Sequence, residues 1–376
     1  MEKFNVLRLH SILSLFILAS AISDHPQLPE ADPDVSVKDL GHHAGYYKIE
    51  HSQAARMFYL FFESRNSPKD PVVIWLTGGP GCSSELAVLY ENVPFTISKN
   101  LSLVWNERDI RHNEVGVNND LYDFLQAFFA EHPQFLKNDF YIIGESYEGH
   151  YIPAFASRVH QGNKAKEGVH INLKVFAIGN GLTDPKIQYK AYTDYALDMG
   201  IISKTDYDRI NKVLPACELA IKLCDIDGTV SCMASYLVCN TILSRIREAF
   251  GVGELKFVSC NPTIYQDMLM DWMRNLVGIP ALLEDGVKLL VYTGAYDLIC
   301  NWLGNSRWVH TMDWSGKQSF VGSAEVPFLV DGAETGVLKT YGPLSFLGFM
   351  MLVTGSHGST QGCVGDVAEV DNGETF

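Results

Sequence analysis

Apolar positions along the chain change period several times, and each change marks an element. Four short runs are almost continuously apolar: 71–76 (PVVIWL), 140–143 (FYII), 173–178 (LKVFAI) and 287–292 (VKLLVY). Runs of this length predict strands buried on both faces. Each leads into glycine, at Gly78-Gly79, Gly144, Gly179 and Gly294. Between 119 and 131 the spacing differs. Leu121, Phe124, Leu125, Phe128 and Phe129 share one face of a helix, with Asn118 or Asn119 as its cap and Pro133 as its stop. A further helix is expected from Tyr151 onward and another over 307–312. Residues 44–49 (AGYYKI) and 57–62 (MFYLFF) flank the polar His51, Ser52 and Gln53, the pattern of a hairpin.

Strands that alternate with helices and end in glycine imply an α/β fold with a doubly wound, mostly parallel sheet, whose ligands bind at the carboxyl ends of the strands. Residues 192–250 have helical periodicity, four cysteines and no strand run. This stretch is expected to be a helical cap inserted over that edge.

The N-terminus changes the picture of where the chain works. Lys3 and Arg8 precede an apolar stretch, 12–21, that closes on Ala19-Ser20-Ala21, the form of a secretory signal peptide. The expected location is the secretory pathway, extracellular or vacuolar, where disulfides are permitted. Cys217, Cys224, Cys232 and Cys239 lack the C-x-x-C pairs of a zinc site, so stapling fits better than a metal; four cysteines allow three pairings. Asn100-Leu101-Ser102 is a glycosylation sequon. The 376 residues are 47% hydrophobic, and 44 acidic against 29 basic residues leave a net charge of −15. That balance argues against nucleic acid and anionic membranes as partners. No internal apolar run approaches the roughly 18 residues of a membrane span. No cofactor is expected, and the oligomeric state is not legible.

The strongest chemical signal is Ser146 in Y-I-I-G-E-S-Y, a serine on a tight turn between a buried strand and a helix. A nucleophile elbow holds its serine in that way, with Tyr147 N–H beside it as an oxyanion donor. Gly79, in the glycine turn after the preceding strand, can supply the second donor. Asp297 follows the last apolar strand, which sets the chain order Ser…Asp expected of an α/β-hydrolase.

Four longer motifs carry a resemblance. W-L-T-G-G-P-G-C-S-S at 75–84, G-E-S-Y-x-G-H-Y-I-P at 144–153, G-N-G-L-T-D-P at 179–185 and Y-D-L-I-C-N-W-L-G-N at 296–305 are similar to plant serine carboxypeptidases, most of all the type III branch, from about residue 35 to 347. The resemblance implies an exopeptidase that removes C-terminal residues from peptides or proteins, best at acidic pH. It implies Ser146 as nucleophile, Asp297 as triad acid and Gly79 and Tyr147 as oxyanion donors. Thr77, Gly78, Glu91 and Glu145 would hold the substrate's terminal carboxylate. A buried Glu145 facing that carboxylate would have to bind as a proton donor, which would weaken binding as pH climbs. The family's nesting implies disulfides Cys217–Cys239 and Cys224–Cys232, with Cys82–Cys260 as a third, and Cys300 as a free thiol near the pocket. The expected organisation is 1–21 signal peptide, 22–38 polar arm or propeptide, 39–191 hydrolase core, 192–250 cap, 251–347 second part of the core, and 348–376 an aberrant tail.

Four kinds of departure from that family stand out, one of them a pair of gaps. Glu148 stands where Gly or Ala is usual, two residues after the serine, and a buried carboxylate there adds crowding and a desolvation cost. Val93 replaces a glycine. Nothing between Thr96 and Asn113 reads as the further central strand that the family carries, and part of the cap is missing near 245–251. The triad histidine motif H-D-A-G-H, due shortly after Y-G-P-L-S-F-L at 341–347, is absent. After Asp297 only His310 and His357 remain, and His310 is expected to be a solvated or packing residue. Residues 349–354 (FMMLVT) are what a one-nucleotide shift of frame gives from one choice of codons for V-H-D-A-G-H, and a divergent tail rich in Gly, Ser and Thr is the alternative. The expected function is therefore a serine-type carboxypeptidase working through an acyl-enzyme, with this chain handicapped by the missing histidine. A secreted, non-catalytic peptide-binding homologue and a serine carboxypeptidase-like acyltransferase are the alternatives.

Overall fold

The computed structural model describes residues 42–49, 56–64, 66–79, 114–227, 229–251, 273, 278–330 and 332–349. The signal peptide, Cys82, Glu91, Val93, Asn100, the 96–113 segment, Cys260, His357 and the tail from 350 lie outside them.

Strand β1 (His42–Lys48) pairs antiparallel with β2 (Arg56–Phe62) as the expected hairpin. It lies on helix α1 (Glu114–Glu131) through aromatic rings: Tyr47 meets Phe124 at 5.6 Å, and Phe61 meets Phe128 edge-on at 5.1 Å. Helix α1 begins before the expected cap. Val117 continues the apolar stripe one turn back from Leu121. Asn118 is buried inside the helix, and Asn119 Oδ1 accepts from Arg158 Nε at 2.9 Å instead of capping.

The main sheet among the described residues has seven strands in the order β3-β4-β5-β6-β9-β8-β7. Strands β3 (Val72–Leu76), β4 (Phe140–Ser146), β5 (Leu173–Gly181), β6 (Lys288–Gly294) and β9 (Leu344–Phe349) are all parallel. Strands β7 (Glu325–Val330) and β8 (Ala333–Tyr341) add an antiparallel edge that the apolar pattern does not announce. Alternate residues serve two cores. Phe140, Ile142, Phe176, Ile178, Leu289 and Val291 pack under α1 and under α2 (Glu148–Ala165), while Tyr141, Ile143, Val175, Ala177 and Leu290 pack on the other face. Both faces being apolar is why these strands read as unbroken runs. Strand β3 was expected to be fully buried, yet only Val72 is; Val73 to Leu76 are half-buried. Among the described residues β3 has β4 alone as ladder neighbour, so it stands at the sheet's edge.

The helical stretch comprises α3 (Pro185–Asp198), α4 (Lys204–Ile210), α5 (Leu214–Asp227) and α6 (Thr229–Phe250). Disulfides Cys217–Cys239 and Cys224–Cys232 staple α5 to α6, as implied. Its core (Tyr189, Tyr192, Ile210, Ile221, Ile242) is continuous with Tyr147 and Leu298, the residues that follow Ser146 and Asp297. Helices α7 (Ile279–Glu284), α8 (Trp302–Thr311) and α9 (Lys317–Val321) complete the packing around β6 and β9.

Candidate active site

Strand β4 delivers its last residue, Ser146, into a left-handed conformation, φ 66°. A non-glycine residue there is strained by about 1–2 kcal/mol, and the surroundings hold it. Leu182 N–H donates to Ser146 C=O at 2.8 Å, and Gly181 of β5 is its ladder partner. Helix α2 starts at Glu148, three residues earlier than the pattern suggests, with Tyr147 at its cap position. Strand, serine and helix therefore meet within three residues, and the N–H groups of the first helical turn gather beside the serine. Ser146 is nearly buried, 6% exposed.

The glycine turn after β3 closes on that serine. A Cβ on Gly78 would lie 2.6 Å from Ser146 Cβ and 2.9 Å from Oγ, so only glycine permits the approach. Gly79 follows at φ 130°, a conformation that side chains avoid. Of the four residues expected to hold the terminal carboxylate, Thr77, Gly78 and Glu145 lie at the carboxyl ends of β3 and β4, whose pairing runs to Leu76–Gly144. Glu91 lies outside the described residues. Glu145 was expected to be buried and is half-buried, because it sits where β4 leaves its ladder with β5, at a register shift.

The buried carboxyl is instead Glu148, 3% exposed. Its Oε2 has no hydrogen-bond partner among the described residues, and burial alone pushes it well above the usual carboxylate range. Its Cβ and Cγ fill the space a side chain on Gly144 would need, at 2.9 and 2.8 Å from an ideal Cβ there. The crowding expected at this position is thus relieved by the glycine in G-E-S.

Asp297 is 1% exposed, on the loop after β6. Its Oδ1 accepts Cys300 N–H at 2.9 Å, and its Oδ2 accepts Asn180 Nδ2 at 3.0 Å. Asn180 Oδ1 in turn accepts Gly294 N–H at 3.0 Å. Strand β5 lies between β4 and β6, so Asn180 joins the serine's strand to the aspartate's loop. Burial and the Asp297 charge push the Tyr195 phenol up, which keeps it a donor to Ala295 C=O at 2.7 Å on the same loop. Sequence reasoning quoted G-N-G without giving Asn180 a role. The available signal was an asparagine between two glycines at a strand's end, a residue that tolerates its observed φ of 36°. Asn180→Ala is expected to cost about 1–3 kcal/mol by leaving buried partners unmade, read as a fall in the urea midpoint at unchanged slope.

Cys300 is a correction. Expected as a free thiol, it is disulfide-bonded and fully buried, and no described cysteine is free. Its partner lies outside the described residues, since the other four described cysteines pair among themselves. The bond ties down the residue whose N–H holds Asp297.

No described histidine takes the expected place after β9. That strand ends at Phe349 opposite Gly294, beside the Asp297 loop, and His357 lies further on, outside the described residues. His310, within α8, has Nδ1 2.8 Å from Ser306 C=O and its ring against Phe320 and Phe346, the packing role expected of it. Among the described residues no cluster of three or more His, Cys, Asp or Glu could hold a metal ion, and no helix is long and apolar enough to cross a membrane.

Comparison with known proteins gives the family and a likeness of fold. A sequence profile of the serine carboxypeptidase family matches residues 29–109, 102–233 and 221–361. The first junction falls where the further strand was expected. The last segment runs past 348, so the match extends into a tail that the motifs alone left outside. The chain is 60% identical over 385 residues to "Serine carboxypeptidase 3" of Oryza sativa subsp. japonica, covering 86% of this chain and 76% of that one. It is 59% identical over 380 residues to "Serine carboxypeptidase-like 49" of Arabidopsis thaliana, covering 84% and 74%. Among solved structures, Kex1(delta)p, a prohormone-processing carboxypeptidase from Saccharomyces cerevisiae, superposes with a TM-score of 0.64 at 21% identity, over 82% of this chain and 86% of that one, a likeness of fold.

Proposed function

Since this chain belongs to the serine carboxypeptidase family, we propose that it releases C-terminal residues from peptides through an acyl-enzyme on Ser146, at a rate held down by a poorly supplied proton-transfer step. The carrying observation is Ser146 at positive φ with Gly78 packed against it and Asn180 linking its strand to Asp297. Ser146 Oγ attacks the scissile carbonyl, and the N–H groups of Gly79 and Tyr147 receive the oxyanion. Asp297, held by two donors, is set to orient a base rather than to take the proton itself. Thr77, Gly78, Glu91 and Glu145 form the subsite for the terminal carboxylate. A substrate carboxylate beside a glutamate binds when the pair shares a proton, which favours acidic pH. The apolar stretch at 12–21 behind Lys3 and Arg8 supports a secretory route, with the vacuole or the extracellular space as the site of action.

The test is release of the C-terminal amino acid from a blocked dipeptide by the purified chain at pH 5, against Ser146→Ala. Slow release that disappears in the variant is expected. Equal background in both proteins would overturn the proposal and leave the second reading, a peptide-binding homologue. That reading is favoured by the missing H-D-A-G-H and is checked by titrating the same dipeptide.

A further inference from the structure

The loop that carries Asp297 is held from two sides. Its Oδ2 is bound by Asn180 of β5, within the main sheet. Its Oδ1 is bound by the N–H of Cys300, a residue that packs with Leu298 and Tyr195 in the core of the helical stretch α3–α6. Two consecutive residues of α3 grip the chain on either side of that loop. Tyr195, buried, donates its hydroxyl to Ala295 C=O at 2.7 Å, just before Asp297. Asp194 Oδ2 accepts from Arg307 Nη1 at 2.7 Å, on α8 beyond it. Between the two grips α8 lies close along α3: a Cβ on Gly304 would stand 3.1 Å from Gln188 Cγ and 3.4 Å from Ala191 Cβ. Helix α3 is in turn tied to the rest of the stretch. Asp194 Oδ1 accepts Tyr207 OH of α4 at 2.8 Å, and Lys190 Nζ pairs with Glu218 of α5 at 2.8 Å.

We propose that Tyr195 is a positioning residue for the triad acid, through which α3 sets where the Asp297 carboxylate stands. This role rests on the reading of Asp297 as that acid. A carboxylate held by one donor can turn about its Cβ–Cγ bond, whereas one held at both oxygens presents a single orientation. Here the two donors belong to different parts of the fold, so the carboxylate is placed only when those parts are in register. The sheet sets Asn180, which also binds Gly294 N–H at 3.0 Å. The helical stretch sets the loop that follows, and the Tyr195 hydroxyl is its polar tie to the loop's first residue, Ala295. That tie is buried, so its loss leaves both the carbonyl and the fixed register unsupported. The helical stretch thus acts on the rate of the chemical step, and not on substrate binding alone.

Tyr195→Phe removes the hydroxyl and keeps the ring. Its control is Tyr122→Phe, which removes a buried hydroxyl that donates to Glu167 C=O at 2.8 Å in the other core. Native-state hydrogen exchange of the full chain, resolved to the Cys300 amide, reads the Asp297 carboxylate directly, because Oδ1 protects that N–H. The expected result is exchange about tenfold faster in Tyr195→Phe, the worth of one hydrogen bond, and unchanged in Tyr122→Phe. In release of the C-terminal residue from the blocked dipeptide at pH 5, kcat should fall by a similar factor in Tyr195→Phe alone, at unchanged KM. Equal Cys300 exchange in the parent chain and Tyr195→Phe overturns the proposal, as does equal acceleration in both variants. A raised KM at constant kcat also overturns it, by making Tyr195 a substrate contact. A parent chain that releases nothing counts against the peptidase reading, and the exchange comparison then decides the positioning role by itself.

Discussion

A fluorophosphonate probe is expected to label Ser146 about 10⁴-fold more slowly in this chain than the corresponding serine of the rice relative, the scale on which a triad loses rate without one of its members. The elbow is built: Ser146 is held at positive φ, Gly78 closes on it, and Asp297 is fixed by Asn180 and Cys300. No described histidine lies after β9, where the base is expected. His310 is turned toward its own helix backbone and packed on Phe320 and Phe346, so it cannot serve. A chain in which residues 349–354 are replaced by V-H-D-A-G-H should regain fast labelling, because β9 brings that point beside the Asp297 loop. Rapid stoichiometric labelling of the unaltered chain, abolished by His357→Ala, would show instead that His357 supplies the base.

The second large effect concerns stability. Glu148→Gln should leave stability unchanged near pH 4 and raise it progressively as pH climbs. The cause is the buried carboxyl: it is desolvated, its Oε2 has no partner among the described residues, and its pKa is raised by burial. Below the unfolded value near 4.5, folded and unfolded chains both carry the proton, and ionisation contributes nothing. Above it the unfolded chain releases the proton while the folded one keeps it, so native stability falls by about 1.4 kcal/mol per pH unit until the raised folded pKa is passed. Glutamine has nothing to ionise, and its urea midpoints should diverge upward from the parent's across that window. Parallel midpoints from pH 4 to pH 8 would mean that Glu148 ionises in the folded state as easily as in water.

Much of the fold is legible because parallel strands buried on two faces have no choice of side chain. The runs at 140–143, 173–178 and 287–292 could be little else, and the aromatic pairs at 44–49 and 57–62 required a common partner, which proved to be α1. The serine elbow was legible for a related reason: a strand, a tight turn and a helix within a few residues leave a narrow set of sequences. Boundaries were less so. Helix α1 starts a turn early because Val117 packs, and α2 starts at Glu148 because the elbow itself nucleates it. The β7–β8 edge was missed, since an exposed antiparallel pair can mix polar and apolar residues freely.

By itself the sequence determined the α/β class, the strand order of chemistry from Ser146 to Asp297, and the family, because these rest on local patterns a few residues long. Tertiary structure alone decided which residues meet across the chain. Asn180 reaches Asp297 over a separation of 117 residues, Gly78 touches Ser146 from the neighbouring strand, and Cys300 is tied into a disulfide rather than left free. It also decided that burial falls on Glu148 while Glu145 stays half-open, since desolvation depends on what packs around a carboxyl and not on its neighbours in sequence.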